Sequence, residues 1–245
     1  MHKAWRSKKM KRFLAVLLSL ILAAGSLFVA AFAADGKKEK VYPVILLQGY
    51  SGPQLFNQDT GEKAWGLDFD KVKEHVLNDY GKELANGAKE YAKGNPDPLV
   101  DTLGTILLDV MDPIACNADG SSKYNLDTFP KGAEATRMST LIANGQEEYI
   151  GEKPIMTGFV EKLTQQGVEN AADYIFIYTN DWRKGQAQYA KDIDAYIDEV
   201  RALTGSDKVD IYGLSFGGQC GASYLYYYGE KAKVHKACLN VPAIG

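Results

Sequence analysis

The stretch Lys208-Val209-Asp210-Ile211-Tyr212-Gly213-Leu214-Ser215-Phe216-Gly217-Gly218 decides the fold. Its first half is a short run rich in β-branched and aromatic residues, as a strand requires. Its second half is G-x-S-x-G, followed by a small-residue segment that reads as a helix to Tyr228. Strand, sharp turn and helix in that order make a nucleophile elbow, which strains one serine and lifts its hydroxyl above the sheet edge. Gly213 and Gly217 are small because strand and helix approach closely there. The helix after Ser215 aims its N-terminal N–H groups and positive dipole end at the site, so the Phe216 N–H is one expected oxyanion donor. A phosphate loop needs G-x-G-x-x-G or a Gly-Lys-Ser/Thr pair, and the stretch has neither. A glycine-rich turn that binds nothing is the competing reading.

Working outward, the flanking segments alternate. Val41 to Leu47 and Tyr174 to Tyr178 are nearly continuous apolar runs, as for strands buried on both faces. Gln186 to Leu203 places Tyr189, Ile193, Tyr196, Ile197, Val200 and Leu203 at helical spacing and stops at Gly205. A shorter helix is expected over Thr157 to Gln166, and a last strand over Val234 to Val241. Strand, helix, strand, helix, strand implies an α/β fold with a mostly parallel sheet and helices on both faces.

Residues 56–150 break this rhythm. Phe69, Val72, Val76, Leu77, Tyr80 and Leu84 suggest one helix, and Asn95-Pro96-Asp97-Pro98 breaks it. Leu103, Ile106, Leu107, Val110 and Met111 suggest a second, more apolar helix. The segment reads as a cap or lid that would also meet a membrane or lipid surface, or as a structural insertion.

The N-terminus has its own logic. Lys3, Arg6, Lys8, Lys9, Lys11 and Arg12 precede an apolar run from Phe13 to Phe32, and Ala31-Phe32-Ala33 supplies the small residues of a cleavage site. Residues 1–33 thus read as a signal peptide cleaved near Ala33-Ala34, which makes the chain secreted. An uncleaved membrane anchor is the alternative, since the run approaches the ~20 residues that span a bilayer. Six of the 28 Lys+Arg and none of the 31 Asp+Glu fall in 1–33, so residues 34–245 carry 22 basic against 31 acidic groups, formally −9. Such a surface repels phosphate backbones and argues against nucleic acid as a partner. A hydrophobic fraction of 46% fits one globular domain over 34–245. Cys116, Cys220 and Cys238 are an odd set with no zinc spacing. Cys220 and Cys238 are either a bridge or two small buried apolar residues.

The second oxyanion donor should come from the loop after the first strand, Gln48-Gly49-Tyr50-Ser51-Gly52-Pro53. Gly49 permits the sharp turn and the Tyr50 N–H is the candidate, with Ser51 the weaker one; an ordinary turn is the bland reading. Serine attack also needs a base and an acid, in the order Ser, Asp/Glu, His. After Ser215 the only acid is Glu230 and the only imidazole His235, both expected at the far end of the sheet. His75 lies upstream and breaks the order. No metal or organic cofactor is called for by this chemistry.

These residues together resemble the lecithin–cholesterol acyltransferase-like branch of the α/β-hydrolases. Tyr42-Pro43-Val44-Ile45-Leu46-Leu47-Gln48-Gly49-Tyr50-Ser51-Gly52-Pro53-Gln54-Leu55 is similar to that family's P-V-I-L-V-P-G-x-x-G-x-Q-L stretch. Asn180-Asp181-Trp182-Arg183 resembles its Y-D-W-R motif, and Gly213 to Gly218 its G-H-S-x-G-G elbow. Gln48, Asn180 and Leu214 depart from the pattern without removing a reacting group. The resemblance implies an α/β-hydrolase fold with a helical cap insertion, Ser215 as acyl acceptor and a carboxylic, lipid-like ester as substrate. Water or an alcohol would be the final acceptor, which leaves a secreted esterase or lipase, an O-acyltransferase, and a non-catalytic binding module on the same fold. Asp181-Trp182-Arg183 reads as a packed, capped corner rather than a catalytic group. The family continues through further strands after the segment similar to Leu239 to Gly245, so the chain is expected to be a fragment. The last strands, the acid and the histidine would then lie beyond Gly245.

Overall fold

The computed structural model describes residues 40–50, 52–66, 69–149 and 153–242. The expected signal peptide over 1–33, Ser51 and the last three residues lie outside them. The chain forms two compact units, one from residues up to Pro53 and from Pro130 onward, the other from Gln54 to Phe129.

In chain order the elements are β1 (Val44–Leu47), β2 (Leu55–Asn57), β3 (Lys63–Trp65), α1 (Phe69–Ala92), α2 (Asp97–Met111) and β4 (Leu126–Thr128). They continue with α3 (Met138–Ala143), α4 (Lys153–Gln165), β5 (Ile175–Tyr178), α5 (Gln186–Thr204), β6 (Val209–Leu214), α6 (Phe216–Tyr228) and β7 (Val234–Asn240). No helix among the described residues is long and apolar enough to cross a membrane.

The first unit is α/β. Its four strands are parallel in the order β5-β1-β6-β7. Successive β-strand side chains face opposite ways, and here both faces are apolar. Ile45, Leu47, Phe176 and Ile211 pack against Tyr189, Ile193 and Ile197 of α5 and Cys220 and Tyr224 of α6. Val44, Leu46, Ile175 and Ile177 pack against Met138 and Leu141 of α3 and Met156 and Phe159 of α4. This double burial is why β1 and β5 read as unbroken apolar runs. Burying one such Leu or Ile fully stabilises the fold by about 2 kcal/mol.

β5 is an edge strand, and the segment before α3 covers it. Ile177 N–H donates to the Thr136 carbonyl at 3.0 Å, and Arg137 bridges Phe176. The Thr136 hydroxyl lies 2.6 Å from the Tyr196 hydroxyl of α5, which also donates to the Ile177 carbonyl at 3.2 Å. The 56–150 segment therefore divides. Residues 130–149 belong with the sheet, and only 54–129 form the separate unit. α4 begins at Lys153, earlier than the expected Thr157, because Pro154 fits a first helical turn. Cys220 and Cys238 are both free thiols, so the bridge is not made. Cys220 is buried, and burial pushes its thiol up to about 12.

The second unit joins a small antiparallel sheet, β3-β2-β4, to an α1–α2 hairpin. The sheet was not legible because its strands are three residues long. The helices cross closely at Gly87, where an added Cβ would stand 2.8 Å from Leu99 Cα. At the other end His75 bonds Asp109 and Asp79, each at 2.7 Å. The Asp109 hydrogen bond, with the Asp79 charge behind it, holds the imidazole above its ordinary value.

Two outcomes follow from this packing. Tyr196→Phe should lower stability by about 1 kcal/mol, read as a lower urea midpoint at unchanged m. His75 should titrate above ~6.5 by NMR, and Asp109→Asn should bring it down. Because the folded value is raised, the stabilisation from this contact is present below ~6.5 and fades as pH rises through the folded value.

Candidate functional site

β6 runs into α6 with Ser215 as the only joint. Ser215 has φ 53° and ψ −117°, well away from the small left-handed helical region that non-glycine residues visit. Such strain, of order 1–3 kcal/mol, persists only where the surroundings over-determine it. Here the Ser215 N–H donates to the Asn240 carbonyl at 2.9 Å, and its own carbonyl accepts from Gly218 N–H at 2.9 Å. The glycines do the rest. A Cβ on Gly217 would stand 1.9 Å from the Leu47 carbonyl oxygen and 2.6 Å from that of Gln48. A Cβ on Gly213 would stand 2.7 Å from the Gly217 carbonyl oxygen. The first turn of α6 therefore sits directly on the carboxyl end of β1, and Ser215 is left exposed above it.

That position has topological meaning. β1 is paired to β5 on one side and to β6 on the other. The chain winds from β1 to β5 in one direction, and from β6 to β7 in the other. The loops after β1 and β6 leave the sheet at this switch point, where open parallel sheets hold their ligands. The loop after β1 is a tight turn, with Gly52 N–H bonded to the Gly49 carbonyl at 3.1 Å. Gly52 lies on the buried Gln48 side chain, where a Cβ would meet Gln48 Oε1 at 2.6 Å. The first N–H groups of α6, that of Phe216 among them, have no carbonyl within the helix to bond. Gly49 and Tyr50 thus follow β1, and Gly213, Ser215, Phe216 and Gly217 surround the end of β6. Both sequence-derived groups converge on the sheet's carboxyl edge.

A third loop joins them. Asp181 and Arg183, after β5, form a closed corner. Arg183 Nη2 and Nε donate to the two Asp181 carboxylate oxygens at 2.7 and 2.9 Å, and the Tyr189 hydroxyl donates to the Asp181 carbonyl at 2.6 Å. Both charged side chains are nearly buried. This is a packed corner, and its product is the placement of Trp182. The Trp182 ring lies 4.4 Å from the half-exposed Tyr50, whose ring is 6.4 Å from Phe216. The stack was missed in the sequence. Its only signal was that each ring stands just past, or on the elbow beside, the carboxyl end of a parallel strand.

The other titratable candidates lie elsewhere. His235 opens β7 and bonds Asp210, near the start of β6, at 3.0 Å while stacking on Tyr42 at 4.3 Å. Burial holds the Asp210 carboxyl above its ordinary value, partly offset by the His235 hydrogen bond. From His235 to Asn240, level with Leu214, the strand advances about 16 Å. His235 is the only imidazole among the described residues of this unit, and it is a tie at the opposite edge. Glu230, in the turn between α6 and β7, is at that edge too. Among the described residues of this unit, Ser215 therefore has no imidazole beside it.

A scan against models of known protein families matches none on this chain, and no curated protein is significantly similar to it.

The seating of α6 is directly testable. Gly217→Ala drives a Cβ into backbone and should cost about 3 kcal/mol, a fall in Tm of roughly 6–12 °C. Gly158→Ala, inside α4 with open space around it, should not lower Tm in the same melts.

Proposed function

We propose that Ser215 is the nucleophile of a secreted serine hydrolase with an α/β-hydrolase fold, acting on carboxylic, lipid-like esters. The observation that carries the reading is the backbone of Ser215, a non-glycine residue at φ 53° between a parallel strand and a helix, at the sheet's switch point. In this chemistry the Ser215 hydroxyl oxygen bonds to the ester carbonyl carbon and its proton passes to a base. The carbonyl oxygen becomes an oxyanion, which the Phe216 and Tyr50 N–H groups would hold. Collapse breaks the ester C–O bond, the alcohol leaves with a proton, and the acyl group remains on Ser215. Attack by water then releases an acid, whereas attack by a second alcohol gives a new ester. The ring surface of Tyr50, Trp182 and Phe216 suits an apolar acyl group.

The base is the demanding part of this reading. His235 is tied to Asp210 at the opposite edge, so no imidazole stands beside Ser215 among the described residues of this unit. That same observation favours a second reading, a binding module on a hydrolase fold that holds an ester or lipid without cleaving it.

A fluorophosphonate probe separates the two. Alone, the chain should not label. With exogenous imidazole as the missing base it should label at Ser215, and Ser215→Ala should abolish that labelling. No labelling at any imidazole concentration sinks the hydrolase reading. With activity in hand, a lipid ester offered with and without an acceptor alcohol distinguishes hydrolysis, which yields only free acid, from acyl transfer.

A further inference from the structure

Ser215 is anchored from the side of β7 as well as from β1. Among the described residues β7 is an edge strand, bonded to β6 alone. The end of an edge strand has ladder partners on one side only, so it opens more readily than a central strand. Yet the last residue of β7, Asn240, carries the carbonyl that accepts the Ser215 N–H at 2.9 Å. A strained serine hung from an opening strand end would not keep one orientation.

The Asn240 side chain closes that gap. Its Nδ2 donates to the Tyr212 hydroxyl oxygen at 2.9 Å. Tyr212 is fully buried in β6, three residues before Ser215, with its ring edge-on to Phe159 of α4 at 5.3 Å. Register brings the pair together. Tyr212 stands level with Cys238, and Leu214 with Asn240. Residues two apart on a strand share a face, so Tyr212 and Asn240 are diagonal neighbours. The result is a closed ring of bonds, from Tyr212 along β6 to the Ser215 N–H, across to the Asn240 carbonyl, and back through the Asn240 side chain. The chain beyond is held too. Val241 stands at φ 48°, an outlier for a β-branched residue. Pro242 then lies on the first turn of α6, where a Cβ on Gly218 would stand 3.1 Å from the Pro242 Cβ. Strain of the Val241 kind persists only where both neighbours are fixed.

We propose that Asn240 is a positioning residue for Ser215, and that its bond to the Tyr212 hydroxyl fixes the direction in which the serine hydroxyl attacks. The inference rests on Ser215 being the nucleophile. Neither Asn240 nor Tyr212 touches the substrate in this arrangement; both act through the Ser215 backbone. That backbone aims the hydroxyl oxygen, and attack needs the reacting atoms about 3 Å apart and aligned, so a small tilt costs rate. Cutting the side-chain bond leaves the rings of Tyr50, Trp182 and Phe216 in place. Binding and attack therefore respond separately.

Two measurements on the same chain test this, with wild type set against Tyr212→Phe, Asn240→Leu and the double variant. The first is amide hydrogen exchange at Ser215, followed by NMR. In each single variant the Ser215 amide should exchange about 10-fold faster or more, with the amides of β1 and β5 unchanged. A general loss of stability would speed those central amides as well. The second is fluorophosphonate labelling with exogenous imidazole. Its maximal rate should fall about 10-fold while the half-saturating probe concentration stays the same. The double variant should be no slower than either single one, because all three cut the same bond. Tyr212→Phe removes one oxygen and keeps the packed ring, so it carries the test alone if Asn240→Leu does not fold. Wild-type exchange at Ser215 in the single variants overturns the anchoring. Faster exchange with an unchanged labelling rate, or losses that add in the double variant, overturns the positioning role. A wild type that never labels sinks the nucleophile reading and the positioning role with it, and the exchange measurement still shows whether the bond holds the turn.

Discussion

The contact of Gly217 with the carbonyl end of β1 is the constraint on which the sheet unit depends. A helix can follow a parallel strand with one intervening residue only if its first turn comes down onto the neighbouring strand. The 1.9 Å that would separate a Gly217 Cβ from the Leu47 oxygen shows how little room is left. Once α6 is seated there, Ser215 has no choice of backbone. It must turn at φ 53°, held at its N–H by Asn240 and at its carbonyl by Gly218. Strain at the serine and close packing at the glycines are one feature, seen from either side of the turn.

The same seating brings three loops together. β1, β5 and β6 end at one edge, and each contributes an aromatic ring at or just past its end, in Tyr50, Trp182 and Phe216. The Asp181–Arg183 pair matters through Trp182, whose backbone it fixes. A bidentate pair of nearly buried charges is a poor source of net stability, yet it sets geometry. At the opposite edge the buried Asp210 gains a hydrogen bond from His235 instead of remaining an uncompensated carboxylate. The sheet thus keeps its one imidazole among the described residues for stability at one end, while the exposed serine stands at the other.

The second unit is organised by different physics. Its hairpin is held by a glycine crossing at Gly87 and by exposed His75–aspartate contacts. On α2, Leu99, Ile106 and Val110 are half-buried, while Val100, Leu103, Leu107 and Leu108 are exposed.

Much of this was legible in the sequence, for reasons that can be named. Doubly buried strands are apolar at every position, so Val44 to Leu47 and Ile175 to Tyr178 announced a parallel sheet. The period of α5 followed from its single buried face, and the elbow from glycines that only close backbone approach requires. The strands β2, β3 and β4 left no trace because three residues cannot show a period. The split of 54–129 from 130–149 was equally hidden, since it rests on where Thr136 finds a partner on α5 rather than on local pattern. The sequence by itself determined an α/β chain with a serine at a strand–helix turn, because those are matters of period and of local backbone sterics. Only the tertiary structure decided that Trp182, Tyr50 and Phe216 meet, that His235 belongs to Asp210, and that Val100, Leu103 and Leu107 of α2 are exposed. Each of those depends on strand order and helix phase, which bring together residues far apart in the chain.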